Sequence, residues 1–197
     1  MSKILSDNPH LNATGLLKRM ESVVPCHNFS GSISSLTLSN ATIETPLFPL
    51  EALTFYAMLN LNEIDMSIPE HAEMHKKWYS PERGGPQGDY RAFMTEKVAN
   101  VINALTLFPK TKRAVLTVPN RSIDHTVDED AKCLRELHFF IEDGKLHCSG
   151  FMRAQACSIF PKNIFFISYV MAKIAKSVGM EVGSYSHFVT TLTSGRE

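Results

Sequence analysis

From position 133 onward, apolar and polar residues alternate with a period of two. Leu137, Phe139 and Ile141 fall on one side and Glu136, His138 and Glu142 on the other, the spacing of a strand with one buried face. The pattern turns at Asp143-Gly144 and resumes from Lys145 to Arg153. Two apolar-rich runs joined by Asp-Gly are the strongest short-range hairpin signal a sequence offers. Residues 154–163, which contain Ala154-Gln155-Ala156-Cys157 and Phe160-Pro161-Lys162-Asn163, read as a loop. Residues 164–178 read as a long apolar helix, with Gly179 placed to stop it.

Upstream the pattern is weaker. Residues 1–30 are polar and weakly periodic, with a short helix expected near 11–20; they read as an N-terminal extension to a single catalytic domain over 31–197. The Ser-, Thr- and β-branched-rich run 31–44 predicts a bent strand. Leu50, Leu53, Ala57 and Leu61 form a helical stripe over 50–61. Residues 62–89, punctuated by Pro81, Gly84-Gly85-Pro86 and Gly88, predict a long loop. A second helix is expected over 93–107, with Val98, Val101, Ile102 and Leu105 on one face, and a short strand over 114–118. An acidic segment at 124–130 follows. Strands interspersed with helices, one pair of them a hairpin, predict an α+β fold around a mixed β-sheet flanked by helices.

Composition narrows the options. Twenty basic and twenty acidic residues cancel, so bulk charge argues for neither nucleic-acid nor membrane binding. The longest apolar run is too short to span a bilayer. The first residues lack the apolar centre of a signal peptide, which predicts a cytoplasmic protein. Cys26, Cys133, Cys148 and Cys157 show no CxxC spacing and are expected as free thiols. Neither GxGxxG nor GxxxxGK[ST] occurs, which argues against classical dinucleotide or P-loop binding.

Several residues suggest chemistry, each with a structural alternative. Cys133 has Lys132 and Arg135 beside it, and neighbouring cations favour the nucleophilic thiolate, although many cysteines are inert core residues. Arg153 ends the return strand, where it could hold an anion or form a surface ion pair. Asn163 opens the apolar helix, where it could cap the helix or pair with a heterocycle edge. Glu51 could move protons if buried, or merely favour the helix dipole. His71 and His75 have helical spacing for a metal but no evident third ligand, so no metal site is expected.

Together these residues resemble the thymidylate synthase family, including its pyrimidine-nucleotide hydroxymethylase branch. A cysteine at a strand start, an Asp-Gly-Lys turn, an arginine closing the return strand and an asparagine at a long helix stand here as Cys133, Asp143-Gly144-Lys145, Arg153 and Asn163. Lys112-Arg113 is similar to the family's paired basic residues, and Leu50-Glu51-Ala52-Leu53 to the helix carrying its glutamate. The resemblance implies a thymidylate-synthase-like fold that dimerises sheet to sheet, and a pyrimidine nucleoside monophosphate as substrate. It further implies attack of Cys133 on C6, followed by methyl or hydroxymethyl transfer to C5. Glu51 would serve as second catalytic group, Arg153 with Lys112 and Arg113 of a partner subunit as phosphate ligands, Asn163 as base reader, and Trp78 on the side of a 5,10-methylenetetrahydrofolate cofactor. The chain departs from the pattern where Leu134 follows the cysteine and where Ala156 replaces the pterin-binding aspartate. It departs again at Thr191-Leu192-Thr193-Ser194-Gly195, which replaces a sugar-binding His-x-Tyr, and in ending before the family's closing segment. Those departures leave folate-independent chemistry on the same adduct, or a non-catalytic nucleotide-binding role, as alternatives.

Overall fold

The computed structural model describes residues 10–85, 88–119 and 132–195. In chain order the elements are α1 (Ala13–Val23), β1 (Cys26–Ile33), α2 (Leu38–Ala41), α3 (Leu50–Asn60), α4 (Pro69–Trp78) and α5 (Met94–Leu107). They continue with β2 (Val115–Thr117), β3 (Leu134–Glu142), β4 (Lys145–Ala156), a 3₁₀ turn (Cys157–Ile159), α6 (Phe160–Val178) and β5 (Glu181–Thr193). The five strands form one sheet in the order β1-β5-β4-β3-β2. Every pairing is antiparallel except β4 with β5. The fold is therefore mixed α+β. The acidic segment 124–130 lies outside the described residues.

The hairpin forms where the period-two pattern puts it. Asp143 and Gly144 both take positive φ, 49° and 74°, as a two-residue turn matched to strand twist requires. The helix after it starts earlier than its apolar run suggests. β4 continues to Ala156, and Pro161 sits in the first turn of α6, where its missing N–H costs nothing. Gly179, at φ 70°, ends α6. The chain then returns as β5, a strand that the sequence pattern did not signal, and the β4–α6–β5 crossover explains the one parallel pairing.

Three upstream expectations change. The strand expected at 31–44 lies earlier, at Cys26–Ile33, and a short helix follows it. The region 62–89 holds α4, a mostly polar helix whose apolar end carries Trp78. α3 is buried nearly all round, so its side chains do not fall into one stripe, and Leu50, expected inside, is 46% exposed. Ala13, Leu16 and Met20 of α1 are fully buried in the same core as the sheet, and β1 pairs with β5. Residues 13–33, polar-looking in sequence, thus supply a helix and an edge strand to the main body.

The helices that pack on the sheet (α1, α5 and α6) also pack on one another through α6, and the core between them and the sheet includes Leu137, Phe139, Leu146, Met152, Tyr185 and Val189. α3 and α4 form a second layer behind α6, around Phe55, Tyr56, Trp78 and Phe165. The opposite sheet face is open: Phe151 and Phe188, adjacent in register, are 46% and 41% exposed. No described helix is long and apolar enough to cross a membrane.

Candidate functional site

A cavity of about 530 Å³ opens where β4 meets α6, lined among others by Cys133, Arg153, Gln155, Lys162 and Asn163. Cys133 lies immediately before β3 and is half-buried. Its backbone carbonyl accepts from the Arg153 N–H at 2.8 Å, which ties the strand entry to β4. An irregularity in the β3–β4 register between Leu134 and Glu136 adjoins it; bulges of this kind re-aim side chains next to sites. The Arg153 guanidinium then reaches the thiol, with Nη2 donating to Sγ at 3.8 Å. A cation and a nucleophile-capable sulfur thus share one wall of the cavity.

Asn163 does not cap the helix. Ile159 occupies the cap position of α6, and Asn163, one turn inside, is buried and donates through Nδ2 to Gln155 Oε1 at 3.0 Å. Gln155 is also buried and donates through Nε2 to the Ala156 carbonyl at 2.7 Å. Next to them Lys162, only 3% exposed, donates to the carbonyls of Arg83 (3.0 Å) and Gly84 (3.4 Å). Its ammonium also stands 4.7 Å from the centre of the Tyr56 ring. Carbonyls and an aromatic face are the partners that make a buried ammonium tolerable. Arg83 in turn holds the Leu47 carbonyl and lies over Trp78, so the turn carrying Gly84 is fastened at both ends.

Tyr90 closes the inner wall. Burial first, and then the neighbouring Cys133, push its phenol pKa up, with the Leu134 backbone N–H pulling it partly back. Its hydroxyl therefore stays protonated beside the cysteine across the neutral range. Burial also raises the thiols of Cys148 and Cys157, which suits inert core cysteines. Thr193 and Gly195 reach the same cavity, so the segment that stands in place of the family's sugar-binding His-x-Tyr lies at the cavity without supplying those side chains.

Other expected residues lie elsewhere. Glu51 sits at the start of α3, 69% exposed and paired with Lys77 at 2.9 Å. It lines a separate depression between α3 and α4 that also includes Trp78. Trp78 is largely buried, between the cations of Lys77 and Arg83. Lys112 and Arg113 precede β2 and line a third depression with Leu107 and Phe108. His71 and His75 are taken up locally, His71 accepting from the Asp65 N–H and His75 stacking on Tyr79. Sequence reasoning had not singled out Tyr90, Gln155 or Lys162 as site residues. Lys162 did carry a signal, a lone charge at the head of an apolar helix. Gln155 and Tyr90 carried none.

No protein-family model matches the chain. The cavity must therefore be read from its own chemistry: a thiol, a guanidinium in contact with it, a primary amide held in one orientation, and a neutral phenol.

Proposed function

We propose that this protein is a thymidylate-synthase-like enzyme that binds a pyrimidine nucleoside monophosphate and transfers a methyl or hydroxymethyl unit to C5. The observation that carries this reading is the Arg153–Cys133 contact at 3.8 Å in a cavity shared with the Asn163 amide. The three groups match the three parts of such a ligand. The guanidinium suits a phosphate dianion through charge-assisted, potentially bidentate bonds. The amide suits a base edge. The thiolate suits an electron-poor C6.

In the proposed step the sulfur lone pair forms a C6–S bond, and the C5–C6 electron pair moves onto C5 and its conjugated C4 carbonyl. C5 then bonds to the carbon of an N-methylene donor at the formaldehyde oxidation level, and loss of the C5 proton expels the donor's amine to leave an exocyclic methylene on C5. Water adding to that methylene would give the hydroxymethyl product, and a hydride from a reduced donor, itself oxidised in the step, would give the methyl product; in either case the double bond returns to C5–C6 as C6–S breaks and frees the thiolate. Splitting the substitution in this way replaces one difficult barrier with smaller ones. Tyr90, kept as a neutral O–H beside the sulfur, is suited to donate a hydrogen bond to the thiolate or to a ring oxygen rather than to give up its proton.

The side chains do not fit 5,10-methylenetetrahydrofolate in the manner that the resemblance implies. Position 156 offers a methyl group whose backbone carbonyl is engaged by Gln155, and Trp78 faces a different depression. That observation favours a second reading, folate-independent chemistry on the same C6 adduct, such as hydrolysis or loss of a C5 substituent. Incubation with 5-fluoro-dUMP, with and without the folate, tests both. We expect a mass increase equal to the nucleotide on the peptide containing Cys133. An adduct formed equally well without folate selects the second reading, and no adduct under either condition eliminates both.

The open sheet face supports a homodimer in which two copies cover Phe151 and Phe188, with Lys112 and Arg113 of one copy serving the phosphate of the other. Two adjacent exposed phenylalanines on a strand surface are costly to leave in water, at roughly 25 cal/mol per Å². The double substitution Phe151→Asp, Phe188→Asp should convert a dimer into a folded monomer in sedimentation velocity. A wild-type chain that is already monomeric at micromolar concentration would remove this element of the proposal.

A further inference from the structure

We propose that Lys162 is a positioning residue whose buried ammonium works as a tethered monovalent cation. It binds the Arg83 and Gly84 carbonyls and so holds the turn carrying Gly84 and Gly88 as a wall of the Cys133 cavity. The inference deepens the reading above, and only the nucleotide arm of its test rests on that reading.

A charge at this place needs a reason. Lys162 heads a helix whose next residues, Ile164, Phe165 and Phe166, are apolar and buried. At 3% exposure its ammonium has exchanged water for protein, and an apolar side chain would be easier to enclose. What the ammonium meets is a set of cation ligands. The Arg83 oxygen lies at 3.0 Å, the Gly84 oxygen at 3.4 Å, and the centre of the Tyr56 ring at 4.7 Å. Backbone carbonyls are what proteins offer a potassium ion in place of its hydration shell. An ammonium is a compact point charge that can take the same position.

The turn is built around that charge. Gly84 has φ 74°, and the Gly88 N–H donates to the Gly84 oxygen at 2.7 Å. One carbonyl therefore links both of these cavity-lining glycines to Lys162. A Cβ at Gly88 would collide with the Lys162 Nζ and with that oxygen, so the turn closes on the ammonium with no room for a side chain. Two residues on, the Tyr90 N–H donates to Asn60 Oδ1 at 2.7 Å, and Asn60 Nδ2 donates to the Tyr56 carbonyl at 3.0 Å. The same helix, α3, thus offers a ring to the ammonium and an anchor to Tyr90, which lines the cavity with Cys133. With the charge removed, Arg83 still holds the Leu47 carbonyl and Asn60 still holds Tyr90. Gly84 and Gly88, between them, lose the tie that Lys162 gives them to α6. The loss is local.

The test compares the wild type with Lys162→Met, Lys162→Ala and Gly88→Ala. One arm alkylates the free proteins with iodoacetamide and follows each cysteine by peptide mass. The other follows the rate of the 5-fluoro-dUMP adduct on Cys133. Lys162→Met should open the wall and raise the Cys133 alkylation rate about tenfold, the factor expected for loss of one buried charge-assisted hydrogen bond. Cys148 and Cys157 should stay protected. Adduct formation should slow by a similar factor, because the wall no longer holds the ligand against the sulfur. Lys162→Ala should behave alike. Added n-propylammonium, which matches the removed atoms from Cγ to Nζ, should restore both rates where 1-propanol does not. Gly88→Ala leaves Lys162 in place but pushes the turn off it, and should show the same pair of changes, which keeps the test decisive if neither Lys162 variant folds. An unchanged Cys133 alkylation rate in Lys162→Met or Gly88→Ala would overturn the positioning role, as would Cys148 and Cys157 becoming reactive together with Cys133. Equal rescue by the amine and the alcohol, or rescue by neither, would overturn the cation role. Wild-type protein that forms no adduct would overturn the nucleotide reading, and the alkylation rates would still decide the role of Lys162.

Discussion

Replacing Cys133 with alanine should, on the proposed mechanism, lower turnover of a pyrimidine nucleotide by on the order of 10⁴-fold, because the sulfur would form the C6 bond. Binding should survive. The half-buried thiol sits ahead of β3, and the backbone hydrogen bond from Arg153 to its carbonyl does not depend on the side chain. Dissociation constants for the monophosphate should therefore stay within a few-fold, and the melting temperature within a few degrees. A variant that loses binding as well would point to a structural cysteine. One that keeps its biological activity in full would favour a nucleotide-binding protein without catalysis. Retained adduct formation with 5-fluoro-dUMP would move the nucleophile to another cysteine. Cys148 and Cys157 are poor candidates, since burial raises both thiols.

Acidification should destabilise the fold through His187. This imidazole on β5 is completely enclosed, its Nδ1 bonded to the Tyr185 hydroxyl at 2.8 Å and its ring edge-on to Phe160. Among the described residues its Nε2 has no hydrogen-bond partner. Burial lowers its pKa from 6.5 to about 3, since enclosure penalises the charged form. The unfolded chain takes up this proton below pH 6.5 and the folded chain only near pH 3. More protons are then bound in the unfolded state, and stability falls as pH drops through that window. The full effect is about 5 kcal/mol, and about 3 kcal/mol is lost by pH 4.5, a large fraction of the 5–15 kcal/mol typical of a domain. His187→Gln keeps an acceptor for Tyr185 and removes the titration. Urea unfolding of both proteins at pH 7.5 and 4.5 should show the wild type losing about 3 kcal/mol more than the variant. Equal losses would mean that His187 already reaches solvent or is charged in the folded protein.

The parts of the fold legible in the sequence were those fixed by local rules. The Asp143-Gly144 hairpin, the helix ending at Gly179 and the helix over 94–107 each carry a period or a stop signal within a few residues. β5 has no such period; its neighbours, not its own residues, make Gly183, Ser186 and His187 strand positions. Gly150, opposite His187 in register, shows the kind of constraint involved, since a Cβ there would collide with the Tyr185 hydroxyl. α4 was hidden because a polar helix beside several glycines and prolines reads as loop until Trp78 and Met74 find α3. At the site, Cys133, Arg153, Asn163 and Glu51 were picked out by residue type and local position; the first three line one cavity, while Glu51 lines another depression. Trp78, Lys112 and Arg113 were placed by resemblance, and they too line other depressions. Gln155 escaped because a side chain that acts by holding another has no signature of its own.

The pairing of β1 with β5 has a consequence for biosynthesis. β1 is an edge strand whose only neighbour in the sheet lies near the other end of the described chain. During translation it emerges ahead of β5 and waits for it for on the order of ten seconds at ordinary elongation rates. Throughout that interval its backbone donors and acceptors face solvent, and α1 has no completed sheet to cover. Long-range closure of this kind slows folding and exposes a strand edge to other nascent chains. Polar side chains along β1, from His27 and Asn28 to Ser30 and Ser32, suit a strand that must remain soluble while it waits.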